Sequence, residues 1–545
     1  MKKRFFSIVL LFFPAIIFAY TGQVTGSVNA PGDYPSGLTW DGKHLWVTDF
    51  KTDKIYQIDK DGKVIRYIES PAYWPVGLAF DGKYLWNSDA KGQIPQGDEY
   101  HNGKIYKIDP EDGTVLKTVP APTPSPAGLA WDGEYLWCVD DIHRKLIRFD
   151  PNDGTTIDEY PSPAGSPQGI TFDGEYLWVS DRSKDEIYMV NPQNGNVIII
   201  ADAPGKYSRD LCYDGKNLWN VDFITKKIYK LKIYDDEKFI KTGKSEQEIF
   251  YKHLTTNFGP GMIKRMDVQI ALPVDRPNQK VESEFDFTPA VAGIDEDKWG
   301  QKTAHFVFEN IPAGQKREAV VHYKITTWNV RYFIYPDKVG GEDMIPEKIK
   351  SIYLADNVKY GINDPVIKNA VTKAVGNEKN LYWKMRKIFN YIIGHMYYER
   401  VGGWNTAPTV LARGNGSCSE YSFVFISMCR SAGIPARYVG SIAKRGDDRT
   451  LDDVFHRWVE VFLPNYGWIP VDPSGGDQPS RRGQASRIGF VSNRFVITTQ
   501  SGGGSETMDW NYNSNEYYST QPKTNVAVDY FGEWREMSNP GKSTK

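Results

Sequence analysis

Short apolar runs alternate with Asp-Gly pairs through the first half of the chain. Each Asp-Gly pair is followed by a Leu-Trp pair and, eight residues beyond its aspartate, by a second aspartate. Because Asp-Gly is a strong two-residue hairpin signal, each unit predicts short strands joined by tight turns. The spacings between successive units are 40, 51, 41 and 41 residues. The five Asp-Gly aspartates are Asp41, Asp81, Asp132, Asp173 and Asp214.

Four short strands about every 40 residues are typical of the blades of a β-propeller. The fifth unit runs into the charged residues 235–237 without a fourth strand, whereas Val24–Val28 precedes the first unit as a spare one. We therefore predict an all-β five-bladed propeller over residues 20–237, closed by the N-terminal strand. An unrecognised sixth blade is the alternative. The units resemble those of NHL and glutamine-cyclotransferase-like propellers, which implies architecture more than activity.

Three features of the repeat raise the question of ligand contact. The tryptophans recur at one equivalent position, which favours packing between blades over ligand binding. The repeated aspartates favour turn and backbone capping over metal binding. The second unit exceeds the others by ten residues, between Ala90 and His101. A tolerated loop is the preferred interpretation, and a binding loop on one rim is the alternative.

The repeat ends before the middle of the chain. Apolar and polar residues alternate at 266–272 and at 319–325, which predicts half-buried strands. We assign residues 245–345 to a small β-sandwich that acts as a spacer or scaffold. From about Glu347 apolar residues recur three and four positions apart, so a helix-containing domain is predicted over 346–535. Residues 536–545 form a predicted tail.

Cys418 occupies a position that suits a nucleophile. It opens an apolar run that follows Gly414-Asn415-Gly416 and ends before Gly433. The run predicts a buried helix with Cys418 in its first turn. Free N–H groups and the helix dipole lower the pKa of a thiol there. Cys429 lies about 16 Å further along the same helix and is too distant to bridge to Cys418.

A thiolate in acyl transfer needs a histidine as acid and base, and a third group to orient that imidazole. His456 begins one predicted strand, a turn follows at 464–467, and Asp472 ends the next strand. Pairing the two strands brings His456 near Asp472. A three-residue loop would place both side chains on one face, and a four-residue loop would not. The sequence leaves this register open.

At these residues the chain resembles the core of the transglutaminase-like superfamily. The segments that carry the resemblance are 416–418, 433–439, 456–461 and 467–474. It covers roughly residues 350–500 and implies an α+β, papain-like fold. By the resemblance Cys418 is the nucleophile, His456 the general acid and base, and Asp472 the orienting carboxylate.

The same resemblance makes Trp404 a candidate oxyanion stabiliser, because the family often uses an upstream aromatic or amide donor. An ordinary loop tryptophan is the equal alternative. Two residues depart from the family pattern: Arg457 stands where a small residue is usual, and Ser474 where threonine is commoner. No cofactor is required by such a triad, no metal site is predicted, and no calcium motif of the EF-hand type is present. The charged loop 444–453 lies where it would border the cleft.

Composition narrows the classes of partner. A chain of 545 residues is too long for one compact domain, so several domains are expected. With 66 Lys and Arg against 68 Asp and Glu, the net charge is −2, which argues against a dedicated nucleic-acid surface. An aromatic content of 14% is typical of a folded chain rather than a disordered one. Only four cysteines occur, so a disulfide-stapled scaffold is excluded.

The N-terminus predicts export. Lys2, Lys3 and Arg4 precede an apolar run from Phe5 to Ala19, the layout of a secretory signal peptide. Retention as an anchor is the alternative, because Ile17 is bulkier than the residue usually found two positions before the cleavage residue. No later segment is expected to span a membrane. The prediction is therefore a secreted or periplasmic protein with no stable membrane insertion after signal removal.

These observations predict an exported cysteine acyl-transfer enzyme that acts on protein or peptide amides. Transfer to an amine, deamidation and proteolysis are not separated by sequence. The propeller would serve as a scaffold or targeting module with a possible bound partner. The alternative is a non-catalytic surface or periplasmic binding protein whose propeller binds a polymer or a protein.

Overall fold

The computed structural model describes residues 20–90, 103–234, 237–400, 404–446 and 450–536. The expected signal peptide at 1–19, nearly all of the insertion in the second unit and the tail beyond Glu536 lie outside these residues. Within them the chain is mostly β. No helix in the described ranges combines the length and apolar character needed to cross a bilayer.

The Asp-Gly aspartates organise the repeat. Asp41 accepts the backbone N–H groups of Lys43 at 2.8 Å and His44 at 2.6 Å, and the indole N–H of Trp46 at 2.8 Å. Gly42 supplies the left-handed turn position, with φ of 96°. The same indole-to-carboxylate bond occurs in every unit, at 2.7 to 3.0 Å. The five tryptophans are at most 2% exposed, so they are core residues, and these aspartates are turn caps, as predicted.

The described part of this region forms five four-stranded antiparallel sheets. Four of them take consecutive strands, β2–β5, β6–β9, β10–β13 and β14–β17, and the last has the order β1-β20-β19-β18. The strands are β1 (Val24–Asn29), β2 (Pro35–Trp40), β3 (Leu45–Asp49), β4 (Lys54–Ile58), β5 (Val64–Glu69), β6 (Pro75–Phe80), β7 (Leu85–Asp89), β8 (Lys104–Ile108), β9 (Val115–Pro120), β10 (Pro126–Trp131), β11 (Leu136–Asp140), β12 (Lys145–Phe149), β13 (Thr156–Pro161), β14 (Pro167–Phe172), β15 (Leu177–Asp181), β16 (Glu186–Val190), β17 (Val197–Asp202), β18 (Ser208–Tyr213), β19 (Leu218–Asp222) and β20 (Lys227–Leu231).

The N-terminal strand completes the last sheet. β1 pairs antiparallel with β20, and Val28 lies opposite Ile228. The first strands of the five sheets contact one another in cyclic order, from β2 through β6, β10 and β14 to β18 and back to β2. The repeated four-stranded sheets are therefore arranged like the blades of a propeller.

Asp210 lies at the centre of this ring of strands. The equivalent residues of the other four sheets are glycines, namely Gly37, Gly77, Gly128 and Gly169. A Cβ added at Gly169 would lie 2.4 Å from Asp210 Cα, so the inner strands approach too closely for a side chain there. The Asp210 carboxylate accepts backbone N–H groups from three other sheets, those of Leu38, Leu78 and Ile170, at 3.0 to 3.4 Å. Asp210 thus ties the inner strands together.

Two antiparallel sheets follow the repeat. The strands are β21 (Phe239–Gly259), β22 (Met262–Ala271), β23 (Gln279–Val281), β24 (Asp286–Thr288), β25 (Gly293–Glu296), β26 (Lys302–Ile311) and β27 (Lys316–Tyr332). One sheet contains β23, β27 and β21, with β24 also on β27, and the other contains β25, β26 and β22. Buried residues such as Ile249, Val268 and Phe306 form the core between the two sheets.

The helix-containing region begins after two short 3-10 turns at Pro336–Lys338 and Glu342–Met344. Its elements are α1 (Glu347–Tyr353), α2 (Pro365–Val375), α3 (Leu381–His395), β28 (Tyr397–Tyr398), α4 (Ala407–Arg413), β29 (Asn415–Gly416), α5 (Cys418–Ser431), β30 (Ala436–Ala443), β31 (Thr450–Asp452), β32 (His456–Leu463), β33 (Gly467–Val471), α6 (Arg481–Ala485), β34 (Phe490–Val491) and β35 (Phe495–Ser501).

The helix α5 is the centre of this region. It contacts α2, α3 and α4 on one side, and β30 and β32 on the other. Every residue from Ser419 to Arg430 is buried. The strands β33, β32, β30 and β35 form a four-stranded sheet in that order. A helix covered on all sides holds its first turn in a fixed place.

The last two strands belong to the middle sheets rather than to the helix-containing region. β36 (Ser514–Gln521) pairs with β22, and β37 (Asn525–Glu536) pairs with β21. β31 lies at the edge of the same sheet as β37. The sequence-based division at 345 and 535 therefore differs from the structure, because the chain returns to complete both sheets of the middle region. Trp534 is fully buried in their core.

The helix α6 joins the helix-containing region to the repeat. Arg482 donates two hydrogen bonds to the Glu186 carboxylate, at 2.6 and 2.8 Å. Ala485 is 5% exposed and lies in the same hydrophobic cluster as Val190 and Val197. The two regions therefore share buried contacts.

Candidate active site

Cys418 is the first residue of α5, as predicted from the sequence. Its side chain is partly exposed, whereas Cys138, Cys212 and Cys429 are buried, and all four are free thiols. The Glu420 carboxylate accepts the Ser417 backbone N–H at 3.2 Å, which closes the start of the helix. Cys418 thus combines the positive end of a buried helix with access to a cleft.

The hairpin of β32 and β33 brings His456 and Asp472 together. Leu463 lies opposite Gly467, so the loop contains three residues, Pro464 to Tyr466. In this register His456 and Asp472 point to the same face, which answers the question that the sequence left open. His456 Nε2 lies 3.0 Å from Asp472 Oδ2.

Electrostatics couple Cys418 to His456. Burial disfavours the charge on His456, but the charge and hydrogen bond of Asp472, together with Cys418, raise the pKa of His456 to about 10. Burial likewise opposes the thiolate, yet the hydrogen bond and charge of His456 bring the pKa of Cys418 below its ordinary value. His456 therefore favours the thiolate form of Cys418, which would form an ion pair with the imidazolium.

Asp472 is held as an anion by several donors. Its Oδ1 accepts the Ser474 hydroxyl and the Gly475 backbone N–H, both at 2.9 Å. Burial alone would raise its pKa, but the charge and hydrogen bond of His456, with the Gly475 N–H and Arg487, lower it to about 2. Ser474, where threonine is commoner in the resembled family, thus still supplies the hydroxyl donor.

Trp404 lies in the wall of the cleft that contains Cys418. This cleft has a volume of about 390 Å³, and Tyr398, Phe455 and Tyr512 also line it. Among the described residues Trp404 makes no hydrogen bond to Cys418. Its ring stacks on Tyr512 with 6.1 Å between centroids. Trp404 therefore lies in the wall of the cleft, but in the described residues it is not hydrogen-bonded to Cys418.

Glu420 connects the Trp404 loop to the helix of Cys418, a role that the sequence analysis missed. It is completely buried and accepts the Asn405 backbone N–H at 3.1 Å and Arg413 Nη2 at 3.0 Å. The Ser-x-x-Glu spacing from Ser417 to Glu420 was the available signal, since it is the pattern of a capping box.

Arg457, the residue that departs from the family pattern, is completely buried beside the site. Its guanidinium lies over four aromatic rings at 4.3 to 5.3 Å, and its Nη2 donates to the Trp510 carbonyl at 2.6 Å. The rings belong to Trp404, Phe423, Tyr438 and Tyr512. The backbone N–H and the charge of Arg457 are among the influences that favour the Cys418 thiolate.

Tyr512 is a further cleft residue that the sequence did not indicate. It lies in an Asn- and Tyr-rich stretch with no periodic pattern. Burial and the nearby Cys418 charge raise the pKa of Tyr512, so its hydroxyl keeps its proton. Arg445 and Asp453 also line the cleft, which agrees with the expectation for the charged loop. Residues 447–449 of that loop lie outside the described ranges. In the described part of the chain no cluster of His, Cys, Asp and Glu side chains is placed to hold a metal.

The comparison with family models concerns this region. Residues 368–473 match the family model described as the transglutaminase-like superfamily. A protein-glutamine gamma-glutamyltransferase from Pseudomonas aeruginosa is 36% identical over 73 residues, which are 12% of this chain and 11% of that protein. The chain spans 10% to 36% of the length of the curated relatives that it matches.

Two solved structures are also similar. A cysteine protease candidate from Cytophaga hutchinsonii is 15% identical, with a TM-score of 0.38, and the match covers 54% of this chain and 92% of that one. Virginiamycin B lyase from Staphylococcus aureus is 25% identical, with a TM-score of 0.25, over 37% of this chain and 67% of that one. Residues 368–473 of this chain thus match the transglutaminase-like superfamily, and this match rests on the family model.

Proposed function

We propose that the protein is an exported cysteine acyl-transfer enzyme that acts on protein or peptide amides through Cys418, His456 and Asp472. One observation carries the proposal: the His456–Asp472 hydrogen bond is formed beside a cysteine at the first turn of a buried helix. The raised pKa of His456 and the lowered pKa of Cys418 are the pattern that a nucleophilic thiolate requires.

In the proposed reaction the Cys418 thiolate attacks the amide carbonyl carbon. A carbon–sulfur bond forms, and the carbonyl π electrons move to oxygen. The imidazolium of His456 then gives its proton to the leaving nitrogen as the carbon–nitrogen bond breaks, which releases ammonia or an amine. Water or an amine attacks the thioester, and His456 takes its proton while the thiolate leaves. Asp472 keeps the imidazole oriented throughout.

The tetrahedral oxyanion needs donors of its own. The Cys418 backbone N–H begins α5 and has no acceptor within the helix. We assign the second donor to Trp404, whose position in the cleft wall supports this role. Glu420 would hold Trp404 in place, because it anchors both the adjacent Asn405 and the start of α5.

The test combines ammonia release with covalent trapping. A panel of glutamine-containing peptides is incubated with the protein, with and without a fluorescent primary amine, and the protein is then analysed by intact-mass spectrometry. We expect turnover and a thioester adduct on Cys418, both lost in Cys418→Ala and retained in the matched control Cys429→Ala. No turnover and no adduct across the panel would contradict the proposal.

The propeller-like region is proposed to recruit the substrate or another partner. Tyr34, Phe50, Trp74, Tyr207 and Phe223 form an aromatic cluster on one face, in which Phe50 stacks on Trp74 at 4.9 Å and on Phe223 at 6.0 Å. At the positions equivalent to Phe50 and Phe223 the other units have Ala90, Asp141 and Arg182. A residue required by the fold would recur, so the cluster points to binding.

This cluster is also the observation that favours the alternative, a non-catalytic binding protein. The enzyme and the binding protein are distinguished by measuring KM for a protein substrate and for a short peptide in the variant Trp74→Ala. Tyr67→Ala, which changes an exposed residue of an outer strand, is the control. If the propeller recruits substrate, Trp74→Ala raises KM for the protein substrate only. Absence of turnover in the wild type, with partner binding that Trp74→Ala weakens, would support the binding protein instead.

Export is the remaining part of the proposal and rests on residues 1–19. Expression of the full chain followed by cell fractionation and mass spectrometry of the mature N-terminus tests it. We expect an N-terminus at Tyr20 outside the cytoplasm. An intact N-terminus in the membrane fraction would favour the retained anchor, and a cytoplasmic protein would contradict export.

A further inference from the structure

A second cavity lies away from Cys418, where the middle sheets meet the helix-containing region. It has a volume of about 380 Å³, within the range of small-molecule sites. Phe239, Tyr332, Tyr466 and Trp468 supply aromatic walls, and Arg276, Arg437 and Glu460 supply buried charged groups. Asp275 also lines the cavity, but it is exposed, and its Oδ1 accepts the Val281 backbone N–H at 2.8 Å. None of the catalytic candidates lines it.

The charged groups form one buried network at the cavity. Arg276 Nη1 donates to Glu460 Oε1 at 2.8 Å, and Arg437 Nε donates to Glu460 Oε2 at 2.8 Å. The three side chains are only 7% to 10% exposed. Two guanidinium groups face one carboxylate, so the buried part of the lining, without the exposed Asp275, carries one net positive charge. A buried charge of this kind is costly unless a counter-ion offsets it.

The network also retains unused donors. Arg276 Nη2 donates to Gln500, and Arg437 stacks on Trp468 with 3.9 Å from its guanidinium to the ring. In the described residues no hydrogen bond uses Arg276 Nε or Arg437 Nη1. A carboxylate is the acceptor that matches a guanidinium edge in geometry and charge.

The cavity is held open by its own scaffold. The loop that carries Arg276 is fixed by Gln279, which accepts the Ile497 N–H at 2.8 Å and donates to the Ile497 carbonyl at 2.9 Å. Gln279 also donates to the Val274 carbonyl at 2.9 Å. These bonds do not involve the charged network, so the site is formed before any ligand enters.

We propose that this cavity is a binding site for a small monocarboxylate with an aromatic or other flat apolar body. The ring would pack between the aromatic walls, and the carboxylate would offset the net charge of Arg276, Arg437 and Glu460. This site goes beyond the proposed acyl-transfer function. His456 and Glu460 lie on one face of β32 about 13 Å apart, so the ligand does not occupy the catalytic cleft.

Isothermal titration calorimetry on the full chain tests the site, with indole-3-acetate as probe and the neutral indole-3-acetamide as its matched analogue. We expect the carboxylate to bind and the amide to bind at least about tenfold more weakly, the effect of one charge-assisted hydrogen bond. No binding of the carboxylate at millimolar concentration, or equal binding of the amide, would overturn the proposal.

Variants locate the binding. Arg276→Gln removes one positive charge and is expected to weaken binding of the carboxylate by about tenfold or more. Arg265 is a half-exposed arginine on the adjacent sheet, and Arg265→Gln is expected to leave this binding unchanged. Val274 lines the cavity and is 47% exposed. Val274→Trp places a larger side chain on the lining, leaves the charged residues themselves unchanged and is expected to abolish binding, which keeps the test decisive if Arg276→Gln fails to fold. Binding that survives Val274→Trp would place the ligand elsewhere. Cys418→Ala is expected to bind normally even if the acyl-transfer proposal fails.

Discussion

The guanidinium of Arg457 lies 4.3 Å from the centre of the Tyr512 ring, and Arg457 directly follows His456 in the chain. Among the described residues no carboxylate pairs with this buried cation. Its charge is instead stabilised by the faces of the surrounding aromatic rings, which attract cations. It also interacts favourably with the Cys418 thiolate. A cation kept in this position favours the thiolate over the thiol.

Arg457→Met is therefore expected to raise the pKa of Cys418. Where the pH lies below the pKa of Cys418, each unit of rise slows alkylation by about tenfold, so the rate is followed by mass spectrometry from pH 4 to pH 8. Arg457→Lys keeps the charge and restores most of the rate. Arg430→Met is the control, because Arg430 is buried at the other end of α5 and its loss lowers stability without changing the alkylation profile. If Arg457→Met leaves that profile unchanged, Arg457 only fills space.

Asp472→Asn removes the carboxylate that keeps His456 charged. The pKa of His456, which Asp472 helps to raise to about 10, falls toward its ordinary value. Fewer molecules then hold the imidazolium needed to protonate the leaving nitrogen, and the imidazole also loses its fixed orientation. Together these losses are expected to lower kcat by about 10²-fold or more. The basic limb of the pH–rate profile moves to lower pH. A variant with normal kcat and an unmoved basic limb would contradict the role of Asp472.

The same carboxylate makes stability depend on pH. The folded pKa of Asp472 is about 2, below the ordinary value of 3.8. Its contribution is fully present above about pH 4 and is lost as the pH falls through 2. The difference in thermal midpoint between the wild type and Asp472→Asn should therefore shrink between pH 5 and pH 2. A difference that stays constant over this range would show that the ionised carboxylate does not stabilise the fold.

Glu420 and Trp404 are expected to act as one unit. Glu420→Gln weakens the bonds to the Ser417 and Asn405 N–H groups, so the loop that carries Trp404 loses its fixed position. Trp404→Ala removes the proposed oxyanion donor directly. We predict that both variants lower kcat and that the double variant is no slower than the slower single one. Additive losses would show that Glu420 affects catalysis by another route.

Much of the site was predictable because its signals are local. The helix of Cys418 followed from a mostly apolar run between Gly416 and Gly433. The hairpin of His456 and Asp472 followed from two apolar strands around a turn. That His456 and Asp472 lie on the same face of the sheet was not predictable, since one more residue in the loop would place them on opposite faces. The three-residue loop is visible only from the pairing of Leu463 with Gly467.

The unpredicted parts depend on long-range contacts. β37 pairs with β21, which lies more than 250 residues earlier in the chain. No sequence pattern in either strand indicates which strand it pairs with. Asp210 differs from the glycines of the other units, yet its bonds reach backbone groups that only the closed ring brings near. Tyr512 enters the catalytic cleft from a stretch without periodicity. In each case the partner is chosen by topology rather than by local pattern.

The central claim is that Cys418 is an ion-paired nucleophile, and the pH dependence of its alkylation tests this most directly. The wild-type protein is treated with iodoacetamide at pH 6 and pH 8, and modification of Cys418 is followed by peptide mass spectrometry. The account predicts that the two rates differ by much less than those of an ordinary thiol, because His456 lowers the pKa of Cys418. An ordinary thiol would react about 10²-fold more slowly at pH 6, and that result would contradict the account.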